Sequence, residues 1–186
     1  MEKKIIAFVG MPGAGKSICV DYLKDQGFPA VYFGGVVVNE AKRRYGEATE
    51  ASEKIVREEF RRQDGMAAIA KRIIPEINEL LETNANVIAD GLYSWAEYKL
   101  LKERWGDNAI IIAVAAPRTL RHSRLATRPV RPITDDEASS REYAEIENIE
   151  KGGPIANADY TIVNDASTDA LIANLRKILA EVGITL

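Results

Sequence analysis

The eight residues Gly10-Met11-Pro12-Gly13-Ala14-Gly15-Lys16-Ser17 fill every fixed position of the pattern GxxxxGKS, directly behind the apolar run Ile5 to Val9. A buried strand that turns through glycines into a helix is the geometry in which successive backbone N–H groups point inward around an anion. Gly10, Gly13 and Gly15 permit positive φ and let a phosphate approach with no Cβ in the way. Lys16 supplies a point charge for the β- and γ-phosphates, and Ser17 a hydroxyl for Mg²⁺. The helix starting here directs its positive end at the same anion, so that Gly10 to Ile18 line a polyphosphate. The stretch is therefore a nucleoside triphosphate site. The alternative, a chance glycine-rich turn, asks for neither the lysine nor the strand.

Such a loop needs a sheet to stand on, and 186 residues suffice for one domain with insertions. Hydrophobic residues at 46% and charged residues at 28% are ordinary for a soluble globular chain. A net charge of −3 gives no global basic field toward nucleic acid or an anionic membrane, so any anion site must be local. One cysteine excludes an internal disulfide, and Cys19, one turn into the helix, reads as a small core residue. The single histidine, His122, excludes a multi-histidine metal site and reads as a solvated helix residue among arginines. Lys3 and Lys4 precede only five apolar residues before Gly10, too few for a signal peptide or membrane span, so a cytoplasmic chain is expected.

The continuous apolar run Ile5 to Val9 is the mark of a parallel strand covered on both faces, central in its sheet. A helix over Lys16 to Gln26 buries Cys19, Val20 and Leu23 and stops at Gly27. Ala30 to Phe33 reads as a second strand closed by Gly34-Gly35. From Val36 to Leu81 the pattern is helical throughout, with Met66, Ala70, Ile73, Ile77 and Leu80 on one stripe and Pro75 as a kink. Asn86 to Ala89 is the third strand and ends at Asp90-Gly91. An acid at the end of a buried strand needs a cationic partner, which Mg²⁺ at Ser17 provides; the alternative is a cap on the helix that begins near Ser94. A helix over Trp95 to Trp105, a fourth strand over Ala109 to Ala116, a fifth over Tyr160 to Val163 and a final helix ending at Gly183 complete the order.

Between Pro117 and Arg141 stand Arg118, Arg121, Arg124, Arg128, Arg131 and Arg141, with almost no nearby acid before Asp135. Such a cluster calls for an anion and reads as a lid over phosphates, although a solvated charged face has the same composition. Pro129 and Pro132 break the segment, Thr134 with Glu137 forms a capping box for a helix toward Lys151, and Gly152-Gly153-Pro154 ends it. The fold expected is α/β: a five-stranded parallel sheet with helices on both faces, of the P-loop NTPase, nucleoside monophosphate kinase-like kind. Residues 1–35, 83–117 and 152–186 form the core, 36–82 a helical acceptor lobe, and 118–151 an arginine-rich lid.

With loop, Asp90-Gly91 and arginine lid in that order, the chain resembles the P-loop nucleotide kinases, in the adenylate kinase and dephospho-coenzyme A kinase-like branch. Within that branch it is similar to an archaeal adenylate kinase-related group. The likeness spans nearly the whole chain, carried by the stretch from Phe8 to Ser17, Asp64-Gly65-Met66, Val87 to Gly91, and Ala158 to Asn164. It implies that Arg124 lies on the adenine face, that Arg128 meets phosphates, and that the turn holding Asp165 and Ala166 passes beside the adenine. Two departures concern the acceptor. Adenylate kinases follow the Asp-Gly pair with Phe-Pro-Arg, where this chain has Leu92-Tyr93-Ser94; dephospho-coenzyme A kinases place an acid after the second strand, where this chain has Gly34-Gly35.

The reaction so read is γ-phosphoryl transfer from ATP-Mg²⁺ to a small phosphorylated acceptor, a nucleoside monophosphate for preference. Lys16, Arg128 and Arg131 neutralise the transferred group, Ser17 and Asp90 hold the metal, and Arg43, Arg57, Arg61 and Gly91 face the acceptor. ATP is preferred to GTP because no Asp in a guanine-reading context appears near Asn164-Asp165. Two other readings stand beside it: hydroxyl phosphorylation as in dephospho-coenzyme A kinase, and an ATP-dependent switch or slow ATPase that binds a protein or RNA. Neither a membrane nor nucleic acid is an expected partner, and the chain is expected as a monomer or weak homo-oligomer.

Overall fold

The computed structural model describes residues 2–186. Five strands, β1 (Lys4–Val9), β2 (Ala30–Tyr32), β3 (Asn86–Asp90), β4 (Ala109–Ala115) and β5 (Tyr160–Val163), form one parallel sheet in the order β2-β3-β1-β4-β5. Strand β1 is central because its side chains suit burial on both faces. Ile5, Ala7 and Val9 enter one apolar cluster, Ile6 and Phe8 the other, as the two-residue period of a strand requires. Strand β4 repeats the device, with Ile111 on one side and Ile110, Ile112 and Val114 on the opposite side.

The second of these faces is covered by α1 (Lys16–Asp25) and α9 (Thr168–Glu181), which contribute Cys19, Leu23, Leu171, Leu175 and Leu179. The first is covered by α2 (Phe33–Tyr45), α3 (Glu50–Asp64), α4 (Ala68–Thr83) and α5 (Trp95–Trp105). Past β4 come α6 (Arg118–Thr127), α7 (Asp135–Ile149) and the short α8 (Gly152–Ala156). The chain reverses its winding about β1, so the loop after β1 lies in the crevice at the carboxyl ends of the strands, where ligands of open α/β sheets bind. Among the described residues no helix is long and apolar enough to cross a membrane.

Several local expectations are corrected. Gly34-Gly35 do not close β2 but form the first turn of α2, and Phe33 is helical and buried. The glycines are there because the Tyr32 ring folds back on this turn: a Cβ on Gly34 would come within 2.4 Å of it. Met66 is exposed before α4, whose buried stripe runs through Ile69, Ile73, Ile77 and Leu81, and Pro75 lies inside that one helix without dividing it. Gly152-Gly153-Pro154 do not end a helix; they begin α8, while α7 stops at Glu150, which adopts φ 53°. His122 is buried between α6 and α7, not solvated: its Nδ1 meets Asp135, and its Nε2 stands 3.2 Å from Glu142.

Candidate functional site

Helix α1 begins at Gly15 with neither a side-chain cap nor an acid in its first turn, which leaves its positive end open to an anion. Gly13 has φ 77° and Gly15 φ 100°. A side chain at either would also collide, with the Arg121 carbonyl oxygen at 2.6 Å and with Asn164 Nδ2 at 2.2 Å. The loop is thus pressed between α6 and the turn after β5. Asn164, which is buried, donates from Nδ2 to the Ala14 carbonyl at 2.8 Å, and Arg121 donates to the Pro12 carbonyl at 3.3 Å. Neither brace was visible in the sequence, since the partners are 150 and 109 residues apart.

Lys16 curls over the loop and donates to the carbonyls of Gly10 and Met11 at 2.7 and 3.3 Å. Burial, and then the positive charge of Lys151, push its ammonium down from 10.5 to about 7, against the opposing pull of Glu145 and Asp90. A cation held this way gains from an arriving phosphate. Ser17 is exposed at the start of α1.

Asp90 lies opposite Phe8 in the β1–β3 register, one strand from the loop. Its carboxylate makes no hydrogen bond to the described residues. Burial raises its pKa, opposed by the charges of Lys24 and Lys16. The capping alternative for Asp90 fails, because Ser94 caps α5 itself in a reciprocal box with Glu97. The Ser-x-x-Glu spacing of Ser94 and Glu97 carries the signal for this box in the sequence itself. A carboxylate without a protein partner and a nearby hydroxyl are hard oxygen donors, few in number, which suits an ion that keeps most of its coordination for phosphate and water. The residues fit Mg²⁺. Gly91 is buried beneath the Tyr93 ring, 2.9 Å from where its Cβ would be, so Asp90 and Tyr93 are the side chains this turn offers to the site.

The arginines of residues 118–151 do not stand without acids. Glu142 of α7, 5% exposed at its side chain, takes Arg118 at 3.0 Å, Arg121 and the edge of His122 together. Glu145 takes Arg141 at 3.1 Å and Lys151 at 2.5 Å. The counter-charges come from one face of α7, beyond the stretch in which the sequence shows no acid. Arg128 donates from Nε to the Arg131 carbonyl at 2.6 Å, and Arg131, with φ 52°, reaches Glu53 of α3 at 3.9 Å. Arg124 donates to the Asn164 carbonyl at 3.1 Å and keeps a buried Nη1 without a partner, beside the exposed Asp165 and Ala166.

The acceptor candidates separate. Arg43 is exposed and paired with Glu40 at 2.7 Å, lining an outer groove of about 460 Å³ with Val36, Phe60 and Arg72. Arg57 pairs with Glu50 at 3.4 Å. Arg61 alone is directed inward: its Nε is buried without a partner, burial lowers its pKa, and the strongest compensating charge is Glu97. Glu97 is wholly buried, with Oε2 accepting from the N–H groups of Tyr93 and Ser94 at 2.9 Å and Oε1 unpartnered.

The family model for the AAA domain matches residues 6–148. A UPF0200 protein of Thermococcus kodakarensis is 33% identical over 181 residues, covering 96% of this chain and 97% of that protein. A UPF0200/UPF0201 protein of Archaeoglobus fulgidus is 37% identical over 183 residues, but these are 96% of this chain and 56% of that protein, so this chain spans little more than half of it. Among solved structures, TT1252 from Thermus thermophilus superposes with a TM-score of 0.65 at 20% identity, covering 97% and 98% of the two chains. Shikimate kinase from Acinetobacter baumannii, in complex with shikimate, gives 0.55 at 20% identity over 96% and 94%. A gluconokinase from Sinorhizobium meliloti gives 0.57 at 15% identity over 96% and 95%. At these identities the likeness is one of fold, that of the P-loop kinases.

Proposed function

The chain belongs to the AAA-domain family of P-loop NTPases and to the UPF0200 group, and from that premise we propose that it transfers the γ-phosphoryl group of ATP to a small phosphorylated acceptor, a nucleoside monophosphate before others. The observation that carries this reading is the unpartnered carboxylate of Asp90, one strand from a braced phosphate loop whose lysine is held by carbonyls alone. Gly10 to Ile18 cradle the donor phosphates, and Lys16 exchanges its carbonyl partners for the β- and γ-oxygens. Arg128 and Arg131 approach the transferred group as the connection between α6 and α7 closes, and Arg124 with Asp165 and Ala166 borders the adenine. Ser17 and Asp90 would hold Mg²⁺, which when bound neutralises charge on the β- and γ-phosphates.

Transfer of this kind passes through a loose transition state with charge spread over the γ-oxygens, so positioning and neutralisation suffice. A phosphate acceptor attacks as an anion and needs no general base, which accords with glycines in place of an acid after β2. Arg61, from the lobe 36–82, is the residue for the acceptor side, held by the charge of Glu97; Arg43 and Arg57 are spoken for by Glu40 and Glu50.

A coupled ADP-release assay tests this over a panel of nucleoside monophosphates, dephospho-coenzyme A, shikimate and gluconate. Stimulation by a monophosphate, abolished in Lys16→Ala, is the expected result. Response to a hydroxyl acceptor alone moves the reading to the other kinases of this fold. Turnover indifferent to every acceptor makes the chain a nucleotide-dependent switch.

A further inference from the structure

Lys151 is the feature that the nucleotide site leaves unexplained. Its side chain is 1% exposed, at the junction of α7 and α8, and its ammonium stands 4.9 Å over the Tyr93 ring. One carboxylate, Glu145, serves it, and the same carboxylate serves Arg141: Lys151 takes Oε2 at 2.5 Å and Arg141 takes Oε1 at 3.1 Å. Lys16 is close enough that Lys151 is the strongest charge acting on it. Two cations, the enclosed Lys151 and the half-exposed Arg141, thus share one directly contacting acid, Lys16 beside them has no acid in contact, and Asp90, the other acid that acts on Lys16, is claimed by the metal in the reading above. Enclosed positive charge in excess of its partners is costly and is relieved by an anion.

The position points to one anion. Nucleotide phosphates suit the loop and the start of α1, whereas Lys151 stands over the ring of Tyr93, past the turn that follows β3, where the charge of Glu97 also reaches it. Arg61 approaches that same Glu97 from α3. Resting on the phosphotransferase reading, we propose that Lys151 and Arg141, above Tyr93, form a second phosphate subsite contiguous with the P-loop, which holds the acceptor's phosphate. In the empty protein Glu145 holds both cations and offsets one of their two charges, and an arriving phosphate competes with it for both.

The probe is inorganic phosphate added to the ADP-loaded protein, its affinity measured by calorimetry and phosphorus NMR. The wild type is expected to bind it. Lys151→Met should weaken phosphate at least tenfold while leaving ADP affinity within about threefold, and Lys151→Arg should keep most of it. Glu145→Gln should tighten phosphate several-fold by removing the competitor. Phosphate affinity unchanged in Lys151→Met, or weakened in Glu145→Gln, overturns the subsite and leaves a structural ion pair. Should Lys151→Met fail to fold, the Lys151→Arg and Glu145→Gln pair decides by the same signs. Absence of an acceptor from the ADP-release panel sinks the kinase reading without touching this binding result, and an unaltered phosphate affinity sinks the subsite without touching transfer.

Discussion

Replacing Lys16 with Met should stabilise the nucleotide-free protein at neutral pH. The ammonium has an ordinary pKa of 10.5 and is held at about 7 in the fold. Between those two values the unfolded chain carries a proton that the folded chain has released, so the lysine's contribution to stability rises with pH across the window and is least favourable below pH 7. At about 1.4 kcal/mol per pKa unit, the cost is about 4 kcal/mol at pH 7 and about 2 kcal/mol at pH 9. Met keeps the length of the side chain and removes the charge, at the loss of the two bonds to Gly10 and Met11, about 1 kcal/mol each. The variant should therefore be more stable than the wild type by about 2 kcal/mol at pH 7, and the two should converge near pH 9. Urea unfolding followed by the fluorescence of Trp95 and Trp105 measures both. Saturating pyrophosphate should reverse the order by stabilising the wild type alone, because the anion restores the charged lysine. A variant less stable than the wild type at pH 7, or a difference that does not move between pH 7 and 9, refutes the account of Lys16 as a cation waiting for phosphate.

Three further outcomes are expected. Asn164→Ala removes a buried bond to Ala14 and the seat of Gly15, so it should cost 1 to 3 kcal/mol, roughly, in urea unfolding and raise the ATP concentration needed for half-maximal turnover. Glu142→Ala strands Arg118, Arg121 and His122 together and should cost about 3 to 5 kcal/mol, whereas breaking the exposed Arg43–Glu40 pair should leave the unfolding midpoint nearly unchanged, both read by the same unfolding assay. Asp90→Asn should leave Mg²⁺-free ADP binding nearly unchanged and lower turnover by about a hundredfold, with a raised Mg²⁺ requirement seen by metal titration.

What the sequence made legible was local. The phosphate loop, the strand before it and the capping box at Thr134 and Glu137 are each specified within ten residues, by sterics at glycine and by hydrogen bonds of fixed reach. The parallel strands were equally plain, since burial on both faces leaves an unbroken apolar run. Gly34-Gly35 misled because glycine has two uses: it can close a strand by its φ, or it can admit a neighbouring ring by its missing Cβ, and only the position of Tyr32 tells which.

The arginine-rich segment shows the limit from the other side. Counting charges along the chain leaves the arginines before Asp135 almost without acids, yet charge pairs through space, and one face of α7 returns Glu142 to Arg121 and Arg118 across 21 and 24 residues. Arg121, placed by spacing alone among residues of a lid, is instead a brace under the phosphate loop, fixed by Pro12 and Glu142. Subtracting such pairs is what separates structural charge from charge left for a ligand. Lys16, with carbonyls only, and Arg61 and Arg124, each with a buried nitrogen unpartnered, remain after the subtraction, beside the one positive charge left over where Lys151 and Arg141 share the single carboxylate of Glu145. All three border the crevice at the carboxyl ends of the strands or the lobe and turn beside it, which is why the residual charge, and not the total, points to a phosphate-bearing substrate.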